Sequence, residues 1–175
     1  CDENKIILIF DECTSGFRET YGGLHLKYKI FPDLAVFSKA LGNGYPITAV
    51  IGRDKYMEAA KSSFISSTFW TERLGSVAAL KTLEIMKREK TWNLISQNGL
   101  TIKSEIQKLA KNAEIEIQFT GLNSLLNFKI ISKLGRDYNA LITSEMIKSK
   151  ILATNSIYCS FAHKESVIKK YLYKI

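Results

Sequence analysis

The sequence is poor in the residues that build small, self-contained sites. Its 175 residues include three cysteines (Cys1, Cys13 and Cys159) and two histidines (His25 and His163). An odd number of widely spaced cysteines argues against a disulfide framework and against a paired-cysteine metal site. The histidines lack ligand-like spacing, so no metal is expected. No run approaches the roughly 20 apolar residues of a membrane span. Internal repeats and low-complexity tracts are absent. The opening residues, CDENK, are polar and acidic where a secretory signal would be basic and then apolar. A cytoplasmic, reducing setting is the expectation. With no initiator methionine, the sequence reads as a cut or partial chain.

What is there is the balance of a globular protein, 46% hydrophobic and 24% charged. A net charge of +8 would suit nucleic acid. The lysines, however, are scattered among glutamates along helix-like segments, without a basic cluster or an aromatic–basic motif. They read as a solvated surface, and no nucleic-acid partner is expected.

Two textures follow one another along the chain. Residues 5–10 (KIILIF), 33–38 (DLAVFS) and 47–52 (ITAVIG) are short apolar runs. Such runs fit strands buried on both faces of a parallel sheet. A turn-forming segment, Gly42-Asn43-Gly44-Tyr45-Pro46, separates the last two. Residues 53–61 are a short amphipathic helix. Apolar spacing predicts a helix over 74–89 and another from Thr91, a candidate cap, to about 111. Then 114–120 (EIEIQFT) alternates strictly, as a strand with one solvated face does. Residues 125–131 read as its partner, 139–150 as a helix, 157–161 as a short strand and 164–173 as a terminal helix. The expected fold class is α/β: a partial large domain with a mainly parallel sheet over 1–95, then a small α+β domain over 96–175.

Chemistry collects at the C-terminal ends of strands in α/β folds. Asp11 and Lys39 each stand where a predicted strand ends. If those strands are neighbours, a carboxylate and an amine face one pocket. Pyridoxal 5'-phosphate (PLP) needs that pair: a lysine for its Schiff base and an acid to keep its pyridine nitrogen protonated. The spacing of these two residues alone favours the plainer reading, with Asp11 a strand-end residue capping a turn and Lys39 a surface lysine.

The surrounding residues favour the first reading. IFDECTSGFR (9–18) resembles the DEV-x-TGFR segment of class III aminotransferases and glutamate-1-semialdehyde aminomutases, and PDL (32–34) with SKALGNGYPI (38–47) resembles their PDL…KALGNGYP segment. The resemblance extends from about residue 5 to the end and is strongest before residue 85. It implies the C-terminal portion of a PLP-transferase of fold type I, acting with an amino donor and a carbonyl acceptor, and forming a homodimer. Lys39 would hold the cofactor as a Schiff base and Asp11 would pair with the pyridine nitrogen. Cys13 stands where the family has Val or Ile against the cofactor ring, and Thr68, in SSTFWTERL (66–74), matches a Thr that bonds the cofactor phosphate across the dimer. The family's Gly-Asn-Pro after it is replaced here by Thr71-Glu72-Arg73. The alternative for Thr68 or Thr71 is a cap on the next helix. Glu12 is open between substrate and structure, Arg18 reads as a loop residue, and His163 as structural.

The implied activity is aminotransfer. An intramolecular aminomutase of the glutamate-1-semialdehyde type is the alternative, and an inactive fragment or basic binding module is the reading from another class. The family's phosphate-binding turn and ring-stacking aromatic lie upstream of its first strand motif, so this segment alone is expected to be poorly active and prone to associate, with open sheet edges.

Overall fold

The computed structural model describes residues 1–175, and the chain divides into two compact units, Cys1–Trp92 and Asn93–Ile175. The first unit is built on a sheet of three strands in the order β1 (Ile9–Asp11), β2 (Leu34–Phe37), β3 (Ala49–Gly52). β1 and β2 are parallel, with Asp11 opposite Val36. Their connection is long enough for a parallel crossover and contains the helical turn α1 (His25–Tyr28). β3 runs antiparallel to β2, although its apolar run reads as one more strand of a parallel sheet. The link from Phe37 to Ala49 is too short for a crossover helix, and the 3-10 turn Lys39–Leu41 with the glycine turn after it reverses the chain instead.

Asp33 fixes the register of all three strands. Its carboxylate is 3% exposed and accepts the Leu8 N–H at 2.9 Å. Its other oxygen lies 3.3 Å from the Arg53 guanidinium. Its own N–H donates to Leu8 O, and its carbonyl accepts the Arg53 N–H. Gly52 comes so close that an added Cβ would sit 2.6 Å from the Asp33 carbonyl oxygen, which only glycine accommodates.

Burial departs from the sequence reading here. Ile6, Ile7, Ile9, Val50 and Ile51 are about half exposed. β1 and β3 each have a strand on one side only, so their apolar residues find no second neighbour within the sheet. Two short helices, α2 (Asp54–Met57) and α3 (Ala59–Ser62), replace the expected single helix. α4 (Arg73–Glu89) buries Gly75, Ala79 and Met86 on one face. Leu74, Val77 and Leu80, counted in the apolar pattern, lie on its other face and are exposed. The core of this unit is Ala35, Phe37, Leu41 and Ala79, with Phe17, Ile47, Ala49 and Leu83 packed around it. Lys90, in the left-handed region at φ 48°, ends α4 before α5 (Thr91–Asn112) begins.

The second unit is an antiparallel sheet, β4 (Ile117–Leu122), β5 (Leu125–Ile130) and β6 (Ser156–Tyr158), with β5 central. Asn123-Ser124 form the tight turn between β4 and β5, and Gly121, at φ 84°, supplies the positive backbone angle beside it. α5 from Asn93 onward, α6 (Gly135–Lys148) and α7 (Glu165–Lys174) complete the unit. Ile95, Ile102 and Ile106 of α5 pack with Leu126, Phe128, Cys159 and Ile168 in one buried cluster. Their spacing on α5 is that of a single helical face.

Candidate active site

Parallel pairing brings the ends of β1 and β2 together. Asp11 closes β1, and Lys39 follows three residues after its register partner Val36 (39 − 36). Lys39 takes a left-handed backbone angle, φ 41°. Non-glycine residues rarely adopt it, and such strain concentrates at functional sites. Phe17 (φ 60°) and Asn43 (φ 49°), in the two loops that carry the sequence motifs, share that conformation.

The Asp11 carboxylate accepts the Cys13 N–H at 2.9 Å. That bond, with the thiol of the same residue, holds the Asp11 carboxyl below its ordinary value of 3.8; the charge of Lys39 acts in the same direction. Asp11 is therefore ionised at neutral pH. The Asp11 carboxylate in turn pushes the Cys13 thiol above its ordinary 9.0, so Cys13 stays a neutral thiol and not a nucleophilic thiolate. The Lys39 amine donates to Thr14 Oγ1 at 2.7 Å. A cleft of about 330 Å³ is lined by Phe10, Asp11, Glu12, Ser15 and His25 among others, and Lys39 is not part of its wall.

Glu12 is the buried residue of the motif, 3% exposed. It receives hydrogen bonds from the Ser15 hydroxyl and from the His25 N–H, at 3.0 Å for the latter, and it lies 3.0 Å from His25 Nδ1. Burial pushes its carboxyl up, but the hydrogen bonds from Ser15, Leu24 and His25 outweigh burial and bring it below its ordinary 4.5. The rings of Phe10, Phe31 and Phe37 surround His25 at 6.3 to 6.5 Å. Gly23 allows the pair to close, since a Cβ there would stand 2.9 Å from Glu12 Oε1. Glu12 thus folds the loop that follows Asp11, a role the sequence left open.

Thr68 lies elsewhere in the unit, on the exposed turn 68–71 ahead of α4, and is not part of the hydrogen-bonded group around Asp11 and Lys39. The cap of α4 is Glu72, whose side chain accepts the Leu74 N–H at 3.2 Å, not Thr68 or Thr71. Glu72 also receives the Tyr45 hydroxyl at 2.7 Å, tying the glycine turn after Lys39 to the start of α4. His163 accepts the Ser160 N–H on its ring at 3.1 Å and the Asn98 side chain on its carbonyl at 2.8 Å, both within the second unit. Sequence reasoning missed Thr14, which occupies the variable position of its motif, and the Tyr45–Glu72 bond, whose partners are 27 residues apart.

The family model for class-III aminotransferases matches residues 1–146. The chain belongs to the class-III aminotransferase family. Within it, the chain is 40% identical over 116 residues to the 3-aminobutyryl-CoA aminotransferase of Cloacimonas acidaminovorans (strain Evry), covering 66% of this chain and 28% of that protein. It is 26% identical to a glutamate-1-semialdehyde 2,1-aminomutase of Saccharolobus islandicus, over 97% of this chain and 43% of that protein. Among solved structures, FumI of Sphingopyxis sp. MTA144, in a PLP internal aldimine form, superposes with a TM-score of 0.92 at 22% identity, covering 99% of this chain and 42% of FumI. An omega-transaminase of Sphaerobacter thermophilus gives 0.86 at 21% identity, over 99% and 44%. The fold of this class-III chain is that of a portion of the fold type I transferases. The chain spans less than half the length of each of these proteins.

Proposed function

We propose that this chain carries the lysine-bearing part of a PLP-dependent aminotransferase. One observation carries the reading. An ionised carboxylate, Asp11, and an amine, Lys39, stand at the C-terminal ends of adjacent parallel strands. That donor set fits PLP, because a carboxylate kept ionised at neutral pH can hold a proton on a pyridine nitrogen and an amine can form a Schiff base. Family membership and the transaminase likeness support it.

When bound, PLP supplies an electron sink for a carbanion at the substrate's alpha carbon. The work of this chain's residues follows from their positions. Asp11, bonded by Cys13, would pair with the ring nitrogen. Lys39 would carry the cofactor, and its freed amine would take and return the proton at the alpha carbon. Cys13, a neutral thiol, packs as a small apolar residue. Thr68 would contact the cofactor phosphate of a neighbouring subunit, a role that requires a homodimer. Residues 1–95 then belong to the cofactor-binding domain and 96–175 to the small C-terminal domain. No helix is long and apolar enough to cross a membrane, and a cytoplasmic enzyme acting on a small amino donor and a carbonyl acceptor fits this reading.

An intramolecular aminomutase is the second reading, supported by the likeness to the Saccharolobus aminomutase over nearly the whole chain. The test is the visible spectrum of the protein with added PLP, with and without Lys39→Ala. A Schiff-base band in the unsubstituted protein that Lys39→Ala abolishes is the expected result. A band that persists in Lys39→Ala overturns the assignment of Lys39. A stoichiometric need for an external amino donor separates transfer from mutation.

A further inference from the structure

Lys39 is hydrogen-bonded differently from most other paired lysines of the chain, with Lys55, beside the Tyr56 hydroxyl, the other exception. Lys27, Lys61, Lys81, Lys108 and Lys148 donate to carboxylates. Lys39 donates to a hydroxyl, Thr14 Oγ1, although the carboxylates of Asp11 and Glu12 belong to the same loop. Both are already engaged: Asp11 by Cys13, and Glu12 by Ser15 and His25. The difference has chemical weight. A carboxylate holds an ammonium in its charged form, as Glu19 does at Lys27, whose pKa is raised. A neutral hydroxyl adds no charge and can bond an amine in either protonation state.

The geometry makes this pairing a product of the fold. Thr14 lies three residues beyond Asp11 (14 − 11), and Lys39 three residues beyond Val36, and Asp11 and Val36 are register partners. The two loops leave the sheet side by side, and the left-handed turn at Lys39 is the point where its chain changes direction. A free lysine side chain on an exposed site samples many rotamers, and fixing one costs conformational entropy. A single 2.7 Å bond to the neighbouring loop selects one of them.

We infer that Thr14 is a positioning residue for Lys39: its hydroxyl holds the amine of the cofactor-bearing lysine against the loop that follows β1. The inference rests on the PLP reading for its purpose, though the contact itself does not. In the covalent step it serves, the Lys39 amine attacks the PLP aldehyde carbon, a C=N bond forms and water leaves. Thr14 sets the starting position and receives the amine again when substrate displaces it.

Two readouts on the full chain test this. The first is the pH profile of acylation at Lys39 by a generic amine reagent, without PLP, followed by peptide mapping. Thr14→Asp places a carboxylate against the amine and is expected to move the Lys39 profile upward by about one pH unit or more, leaving the other lysines unchanged. An unmoved profile overturns the inference whatever the cofactor does. The second is the rate of Schiff-base formation with PLP, measured by absorbance and mapped by borohydride reduction. Thr14→Val is expected to slow it on the order of tenfold, while Thr14→Ser, which keeps the hydroxyl, stays near the unsubstituted rate. Thermal unfolding of each variant separates misfolding from mispositioning. If Thr14→Val forms the adduct as fast as the unsubstituted protein, or Thr14→Ser is as slow as Thr14→Val, the inference fails and the PLP reading stands. If the unsubstituted protein forms no adduct at Lys39 while Thr14→Asp still moves the acylation profile, the PLP reading fails and takes the positioning role with it.

Discussion

The two units of this chain differ in how completely they bury themselves. The second closes around seven buried residues drawn from helix and sheet, with Leu126 at 1% and Phe128 at 2% exposure. The first has four buried core residues, and Ile9 of β1, Val50 and Ile51 of β3 and one face of α4 face outward. Yet the first holds the candidate chemistry: Asp11, Lys39, Thr14 and the left-handed loop residues. In place of bulk packing it has a network of directed polar bonds, at Glu12, Asp33 and Glu72, that aims particular side chains. Packing supplies stability in one unit, and hydrogen-bond geometry supplies position in the other.

The comparison can be broken by substitution. Trp70 lies in the first unit, and Trp92, its last residue, packs its ring on Tyr21 of that unit, so their fluorescence follows that unit, and segment-resolved hydrogen exchange follows the second. Phe128→Ala is expected to have the largest effect, about 3–5 kcal/mol in denaturant titration, because it opens a void in a closed cluster. Phe37→Ala in the first unit should lose less, since a small open core relaxes around the gap; an equal or larger loss would contradict the contrast. Glu12→Gln comes next, at about 1–3 kcal/mol read by fluorescence, through donors left without their carboxylate. If Glu12→Gln melts like the unsubstituted protein, the polar network does not hold the loop.

Acid gives the smallest and sharpest comparison. The folded-state pKa of Glu12 lies below its ordinary 4.5. The carboxylate therefore contributes stability that is fully present above 4.5 and is lost as pH falls from there through the folded value. The first unit should loosen in that window before the second, and Glu12→Gln should remove the step.

The sequence made local features legible. Apolar runs marked β1, β2 and β3, strict alternation marked β4, and two motifs located Asp11 and Lys39. The reversal of β3 was not legible, because strand direction depends on the turn at Lys39–Leu41 and not on the strand's own residues. The outward faces of β1 and α4 escaped for a related reason: an apolar residue declares its preference but not whether a neighbour exists to satisfy it. The site's hydrogen bonds were hidden by distance, with 25 residues separating Thr14 from Lys39 and 13 separating Glu12 from His25. The Tyr45–Glu72 bond left a trace only as part of the Thr71-Glu72-Arg73 departure from the family pattern.

The bracing of Asp33 has a consequence for how this gene can vary. Asp33 anchors β2 at one end, and Lys39 stands six positions further on (39 − 33). Side chains along a strand alternate between faces, so a single insertion or deletion between them would carry Lys39 off the edge it shares with Thr14, however well the altered segment packed. Substitutions at Leu34, Ala35 or Val36 would change only how the sheet is filled. This stretch is therefore constrained in length more tightly than in composition, and in-frame indels there should be lost from a mutational library that still tolerates apolar exchanges.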